Sequence, residues 1–422
     1  MVEVVGIERM NAFLGCAYLD LQKLAVHRRL DEGRFTSLLM KEKTVALPYE
    51  DPVTLGVNAA KPLLDAMAPE ERERIELVVS CTESSFDFGK ALSTYFQDLL
   101  KLPRACRLFE IKSACYSGVA GLQTAASFVL SQVSPGAKAL VIATDLSRYV
   151  PTEGGDSPGA EWRYFEPSAG AGAVALVVSD EPHVFQLDVG ASGTYGYEVM
   201  DTCRPVPDNE AGDVDLSLLS YLDCFEQAFR NYQRRVPESD FAQTFAYLSM
   251  HTPFGGMVKG AHRDLMRKLF KARPAQIDPD FEQRVMPGIR HCQRVGNIMG
   301  ATMLLSLAST IEHGDLAEPR RIGCFSYGSG CCSEFFSGVA SRESQARIRA
   351  LGLPRQLDRR YELSVEEYEQ VLASNRLVRF GTRDVELDAS LLPQARAAHG
   401  PGTLFLTAIE GFHRRYEWTA TA

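Results

Sequence analysis

The chain has 422 residues, 45% of them hydrophobic, which is enough apolar material for more than one ordinary core; this excludes overall disorder and predicts two packed halves. Its 45 basic residues against 54 acidic ones leave a net charge of −9, which argues against general affinity for nucleic acid or anionic membranes. The longest apolar runs, residues 139–143 and 173–178, are strand-length and too short for a bilayer, and Met1-Val2-Glu3 lacks the basic-then-apolar layout of a secretion signal. A cytoplasmic location is therefore expected, with the ten scattered cysteines reduced. Cys331-Cys332 and His291-Cys292 have no second pair at a zinc-like spacing, so no metal is expected.

In chain order, Asp51-Pro52 caps a predicted helix that runs to about Met67. Residues 75–81 read as a strand ending at Thr82-Glu83. Residues 117–131 are small and apolar all round and predict a buried helix. A strand over 139–144 leads into Asp145, and another follows over 173–178. In the second half, residues 245–250 lead into His251, and residues 300–313 predict a second buried helix. Residues 322–326 then lead into Tyr327-Gly328-Ser329-Gly330. Apolar strands alternating with helical stretches define an α/β protein, whose ligands gather at the carboxyl ends of strands. Halves of 1–182 and 183–422 are expected. The charged stretch of about 341–400 reads as a surface elaboration before a last strand over 403–409.

Several strand ends carry chemically capable side chains. Ser113-Ala114-Cys115-Tyr116-Ser117-Gly118 places a cysteine ahead of a small-residue helix, whose unpaired amides favour a thiolate; a buried structural cysteine is the alternative. Glu83, at the end of an apolar strand, fits a partly desolvated acid/base carboxylate or a helix cap. His251, before Thr252-Pro253-Phe254-Gly255-Gly256, can donate toward a carbonyl or exchange a proton, or be a hydrogen-bonded core histidine. Asn297 fits an N-cap or a thioester-oxygen donor. The Ser326 to Gly330 run fits an oxyanion-binding turn or a plain glycine turn.

Together, Cys81-Thr82-Glu83-Ser84, Ala114-Cys115-Tyr116-Ser117-Gly118, His251-Thr252-Pro253-Phe254, Gly296-Asn297 and Ser326-Tyr327-Gly328-Ser329-Gly330 resemble the 3-hydroxy-3-methylglutaryl (HMG) synthase family. The resemblance runs from about Val5 to Ser337 and resumes at Arg414-Arg415-Tyr416. It implies a thiolase fold, with two similar αβαβα halves forming a five-layered subunit, and a homodimer. Glu83, Cys115 and His251 would be catalytic, and Asp145, Ser168, Asn297, Tyr327 and Ser329 would bind substrate. The stretches around Leu38-Leu39-Met40-Lys41-Glu42-Lys43 and Leu47-Pro48-Tyr49-Glu50-Asp51-Pro52 are most similar to the branch that acts on acyl carrier proteins (ACPs) in polyketide β-branching.

The reaction so implied loads acetyl from a donor ACP onto Cys115. Glu83 takes a methyl proton, the enolate attacks the β-carbonyl of an acetoacetyl or other β-ketoacyl ACP positioned by His251, and water releases HMG-ACP. No cofactor is implied beyond the phosphopantetheine of the carriers. An initiating ketoacyl synthase would use a similar Cys, His, Asn set without a carboxylate base, and a silent thiolase-fold subunit would need no thiol at position 115. Because carrier proteins are commonly acidic, docking needs a local basic rim; Arg34, near Arg28 and Arg29, is the expected carrier or phosphopantetheine contact, with Lys259 second.

Overall fold

The computed structural model describes residues 4–148, 165–206, 208–388 and 390–420. Nine strands form one continuous sheet: β1 (Gly6–Phe13), β2 (Ile75–Cys81), β3 (Arg107–Ile111), β4 (Lys138–Leu146), β5 (Ala171–Ser179), β6 (Phe185–Gly196), β7 (Tyr247–Met250), β8 (Arg320–Gly328) and β9 (Cys332–Ala340). Their spatial order is β7-β8-β9-β6-β1-β5-β4-β2-β3. The parallel pairs are β7–β8, β2–β3 and β2–β4. β4 and β5 are buried at every residue, which explains why they read as unbroken apolar runs instead of alternating ones. Only a short pairing, Gly6 with Gln186 and Ile7 with Phe185, joins the two parts of the sheet.

Five layers result. Helix α1 (Pro52–Asp65) covers the outer face of β1, β4 and β5, while α2 (Ser117–Ser131) and α5 (Thr302–His313) lie between the two parts of the sheet. Helix α3 (Val214–Arg235) covers the outer face of β6 and β9 through an aromatic core that includes Phe225, Phe229, Tyr232 and Phe335. α4 (Gly255–Phe270) packs against α3. This is the expected thiolase arrangement.

Local chemistry sets these elements. Asp51 caps α1 by accepting from Thr54 N at 2.9 Å, while Thr54 Oγ1 accepts from Asp51 N at 2.8 Å, with Pro52 in the first turn. The other Asp51 oxygen receives Tyr416 Oη at 2.9 Å, which ties down the closing hairpin Leu404–Glu410 and His413–Trp418. The starts of α2 and α5 meet where a Cβ on Gly118 would stand 2.1 Å from the Gly300 oxygen, so both buried helices begin at one point.

The segment 341–400 departs from the expected surface elaboration. Ile348, Leu353, Leu357, Tyr368 and Val371 are buried, and Tyr368 Oη donates to Glu166 Oε1 at 3.2 Å. Much of its charge faces solvent, whereas Tyr368 and Val371 pack with Leu19, Leu24 and Leu47, and Arg360 turns inward to Glu42 at 2.5 Å. Charge density in the sequence therefore concealed a structural wall.

Candidate active site

Residues at or just past the carboxyl ends of β2, β3, β4, β7 and β8 line one cavity of about 530 Å³, with Glu83, Cys115, Ser168, His251, Asn297, Tyr327 and Ser329 in its wall among others. That volume suits a small acyl thioester. Cys115 sits on a tight turn after β3, in which Tyr116 N donates to the Ser113 oxygen at 3.1 Å and Ser117 N to the Ala114 oxygen at 3.1 Å. Ala114 takes the left-handed φ of +44°, a conformation costing a non-glycine residue of order 1 kcal/mol and often kept where geometry serves function. A Cβ at Gly328 would lie 2.6 Å from the Ser113 oxygen, so glycine lets β8 close against this turn.

The expected place of Cys115 holds, and its expected thiolate form needs correction. α2 begins at Ser117 with Tyr116 as its N-cap, so Cys115 stands just ahead of the helix. Burial, then the charges of Glu83, Asp145 and Glu210, push the thiol well above its ordinary range, against the smaller opposing pull of Arg204. Cys115 is therefore a resting thiol, and its proton must leave during acyl transfer. The cavity offers two acceptors, the carboxylate of Glu83 and the imidazole of His251.

Glu83 is held by its backbone. Its N–H donates to Asp145 Oδ1 at 2.9 Å, an oxygen that also receives Thr82 Oγ1 at 2.8 Å, Ser84 N at 3.1 Å and Ser84 Oγ at 2.7 Å. The other Asp145 oxygen accepts from Gly300 N at 3.2 Å. Asp145 is fully buried behind the cavity wall, which corrects its expected role as a substrate contact: it shapes the Glu83 loop and ties it to the start of α5. Burial pushes the Glu83 carboxyl up to about 8; Arg204 opposes this, and the negative charges of Asp145 and Glu210 reinforce it. The ion pair Arg204 Nη2 to Glu83 Oε1 measures 3.6 Å, and Arg204 Nη2 to Glu210 Oε1 measures 2.6 Å.

Arg204 and Glu210 were not expected from the sequence. They lie on the hairpin of Thr202–Val206 and Asn209–Gly212, which has no apolar run leading into it and so no strand-end signal. Asp201, just before it, accepts Tyr327 Oη at 2.5 Å and Gly330 N at 2.8 Å and thereby fixes the turn that carries Ser329.

The opposite wall is nearly free of charge. His251 is buried at the end of β7, its carbonyl receiving Tyr221 Oη at 2.6 Å, and burial alone lowers the imidazole to about 3. It is therefore neutral at physiological pH, and its Nδ1 is a buried atom without a hydrogen-bond partner among the described residues. Asn297 Oδ1 accepts from Met299 N at 3.0 Å and Thr302 Oγ1 at 2.9 Å, which leaves the amide nitrogen for the cavity. Asn297 is not itself the cap, a place taken by Ala301 for α5 and by Ile298 for the short turn before it; its oxygen organises that turn, and its NH₂ end can donate. Ser168 Oγ donates to the Phe165 oxygen at 3.0 Å and lines the cavity.

Phe88 and Phe380, 4.8 Å apart, and the exposed Met200 also line the cavity toward solvent. Phe380 belongs to the charged 341–400 segment from which no site residue was expected. Arg34 is exposed on the helix Glu32–Ser37, whose following residue Leu38 accepts a hydrogen bond from Gly256 N at 3.0 Å, close to the His251 loop. Arg28 is drawn away from the rim by Glu166 at 2.8 Å and Glu369 at 2.6 Å. Lys259 likewise faces Asp278 at 3.8 Å and the Phe281 ring at 5.5 Å and does not line the cavity, so the tunnel-mouth position expected for it is corrected. Two groups elsewhere have metal-ligand residue types, Cys16 with Glu50 and His399, and His291 with Glu312 and His313. Each holds contacts among its own members, such as His291 Nε2 to Glu312 at 2.5 Å, and neither lines the cavity.

Residues 2–182 match the N-terminal domain of hydroxymethylglutaryl-coenzyme A synthase, and residues 264–419 match its C-terminal domain. The chain belongs to the HMG-CoA synthase family. It is 60% identical over 414 residues to the polyketide biosynthesis 3-hydroxy-3-methylglutaryl-ACP synthase PksG of Bacillus subtilis, covering 98% of this chain and 99% of that one. Identity to the hydroxymethylglutaryl-CoA synthase of Enterococcus faecalis is 32% over 390 residues, covering 92% and 94% of the two chains. The crystal structure of the curacin biosynthetic pathway HMG synthase in complex with acetyl donor-ACP superposes with a TM-score of 0.95 at 59% identity, covering 99% of this synthase and all of that chain. This synthase is thus a condensing acyltransferase on a thiolase fold.

Proposed function

We propose that the chain is an HMG-ACP synthase of polyketide β-branching, with Cys115 as nucleophile, Glu83 as general base and acid, and His251 as the acceptor-positioning donor. The observation that carries the assignment is that the three side chains line one cavity together with Asn297 and Ser329. Acetyl passes from the thioester of a donor ACP to Cys115 as the thiol proton is taken up inside the cavity, and the departing phosphopantetheine sulfur leaves as a thiol with a proton returned to it. Glu83, as carboxylate, then removes a methyl proton from the acetyl-enzyme; the enolate adds to the β-carbonyl of an acetoacetyl or related acceptor ACP, and the protonated Glu83 supplies a proton to the new alkoxide. His251 and the Asn297 amide donate to oxygens that gain charge. Water frees the product from Cys115. A ketoacyl synthase reading would leave Glu83 without a task.

Arg34 is the proposed carrier or phosphopantetheine contact, supported by its exposure on a helix that docks beside the His251 loop. Lys259 could serve only by leaving Asp278. We read the chain as halves of 1–182 and 183–422, supported by β5 ending at Ser179 and β6 starting at Phe185, and by left-handed residues, Ala114 at φ +44° and Met299 at φ +47°, ahead of the two central helices. A homodimer, a cytoplasmic location and independence from metals or organic cofactors complete the proposal; among the described residues no helix is long and apolar enough to cross a membrane. The test is single-turnover condensation from pre-acetylated enzyme: Glu83→Gln should retain acetyl on Cys115 and form HMG product ~10²–10⁴-fold more slowly. Condensation by that variant at the wild-type rate would refute the assigned base.

A further inference from the structure

Glu83 and Glu210 compete for one guanidinium. Arg204 lies 2.6 Å from Glu210 and 3.6 Å from Glu83, all three on the cavity wall, and Ser147 Oγ adds a 3.4 Å contact to the Glu210 oxygen that Arg204 holds. The hairpin that carries Arg204 and Glu210 is anchored at its base, where Asp213 N donates to the Asp201 oxygen at 2.8 Å and Asp201 in turn holds the Tyr327 turn. The guanidinium is therefore placed by the fold, independently of Glu83.

We propose that Arg204 is a positioning residue for the base: it holds the Glu83 carboxylate against the cavity wall, and Glu210, by taking the closer share of the guanidinium, keeps that carboxylate basic enough to abstract a methyl proton. Three requirements meet here. A carboxylate facing Asp145, Glu210 and a buried thiol would protonate and cease to be a base without a cation. A cation bound to Glu83 alone would lower its basicity too far. Sharing it with Glu210 places the base between these limits. Among the described residues, the charged groups facing Glu83 are Arg204 and Glu210 on the hairpin and Asp145 at the end of β4, with the Cys115 thiol on its turn beside them. His251 on the far wall is neutral and adds no charge.

The inference rests on Glu83 being the base, and the experiment separates the two. Enzyme is first acetylated at Cys115, because Arg204 also acts on the free thiol. Condensation with acetoacetyl-loaded carrier protein is then followed in a single turnover across pH for wild type, Arg204→Gln, Arg204→Lys, Glu210→Gln and Glu83→Gln. Base-dependent condensation rises with pH through the Glu83 midpoint. Arg204→Gln should move that midpoint up by about one unit or more, and Glu210→Gln should move it down, since removing a cation and removing an anion act oppositely on a carboxylate. Arg204→Lys should return toward wild type. Opposite displacements support the proposal even if one variant is poorly folded, because Glu210→Gln keeps shape and must still move downward. Midpoints that stay in place, or a uniform loss of rate at every pH, would overturn it. Normal condensation by Glu83→Gln would instead overturn the choice of base.

Discussion

The two walls of the cavity differ in kind. One, built from the ends of β2 and β4 and the Arg204 hairpin, holds Glu83, Asp145, Arg204 and Glu210 within one field; the other, built from the ends of β7 and β8 and the start of α5, surrounds His251 with Tyr221, Phe325 and backbone. On the first wall, burial raises a carboxyl to about 8, with Arg204 opposing that rise and Asp145 and Glu210 reinforcing it. On the second, burial alone holds an imidazole neutral, at about 3. In the condensation step, proton transfer is thus assigned to the charged wall and hydrogen-bond donation to the uncharged one.

The contrast can be broken by removing one side chain at a time. The largest effect is expected at the sulfur between the walls: Cys115→Ala should give no acetyl-enzyme, and Cys115→Ser should lose acetylation almost completely, measured by intact-protein mass after incubation with acetyl-ACP. On the charged wall, Glu83→Gln should lower condensation by ~10²–10⁴-fold. Acetyl loading should persist, because the substitution removes an anion that holds the Cys115 thiol up, and His251 remains to accept the proton. In wild type, condensation from acetyl-enzyme should increase as pH rises through about 8, since the carboxyl is raised and only its ionised form is a base.

On the neutral wall, His251→Ala should lower condensation by ~10²–10³-fold, the scale for losing one donor to a developing oxyanion. That loss should be constant between about pH 5 and 8, the range in which an ordinary histidine titrates, because burial has taken His251 out of it. A loss that varies across this range would return His251 to proton transfer. The smallest effect is expected outside both walls. Arg34→Glu should raise the acetyl-ACP concentration needed for half-maximal loading severalfold, and added salt should weaken wild-type loading in the same direction, with acetyl-pantetheine transfer little changed.

What could be read from the sequence follows the same division. Glu83, Cys115 and His251 sit after apolar runs or before small-residue helices, patterns that short-range chemistry leaves visible. The α/β class was legible because β4, β5 and α5 are buried almost throughout, while the five layers followed from the resemblance of the motifs. Arg204 and Glu210 were not legible, since a two-stranded hairpin that reaches into a cavity looks like any polar turn. Phe380 was hidden in a charged segment whose packing face is interrupted by short helices. Asp145 was placed in the site for the right reason, a strand end, but five hydrogen-bond donors turn it away from substrate. Lys259 failed because charge along the sequence does not reveal that Asp278 already faces it.

The most direct test of the account is mass spectrometry of enzyme and carriers after incubation with acetyl-ACP and acetoacetyl-ACP. The expected result is acetyl on the Cys115 peptide, an HMG group on the acceptor carrier, and neither product from Cys115→Ala. Acetyl mapped to another cysteine, or HMG formed by the Cys115→Ala variant, would contradict it.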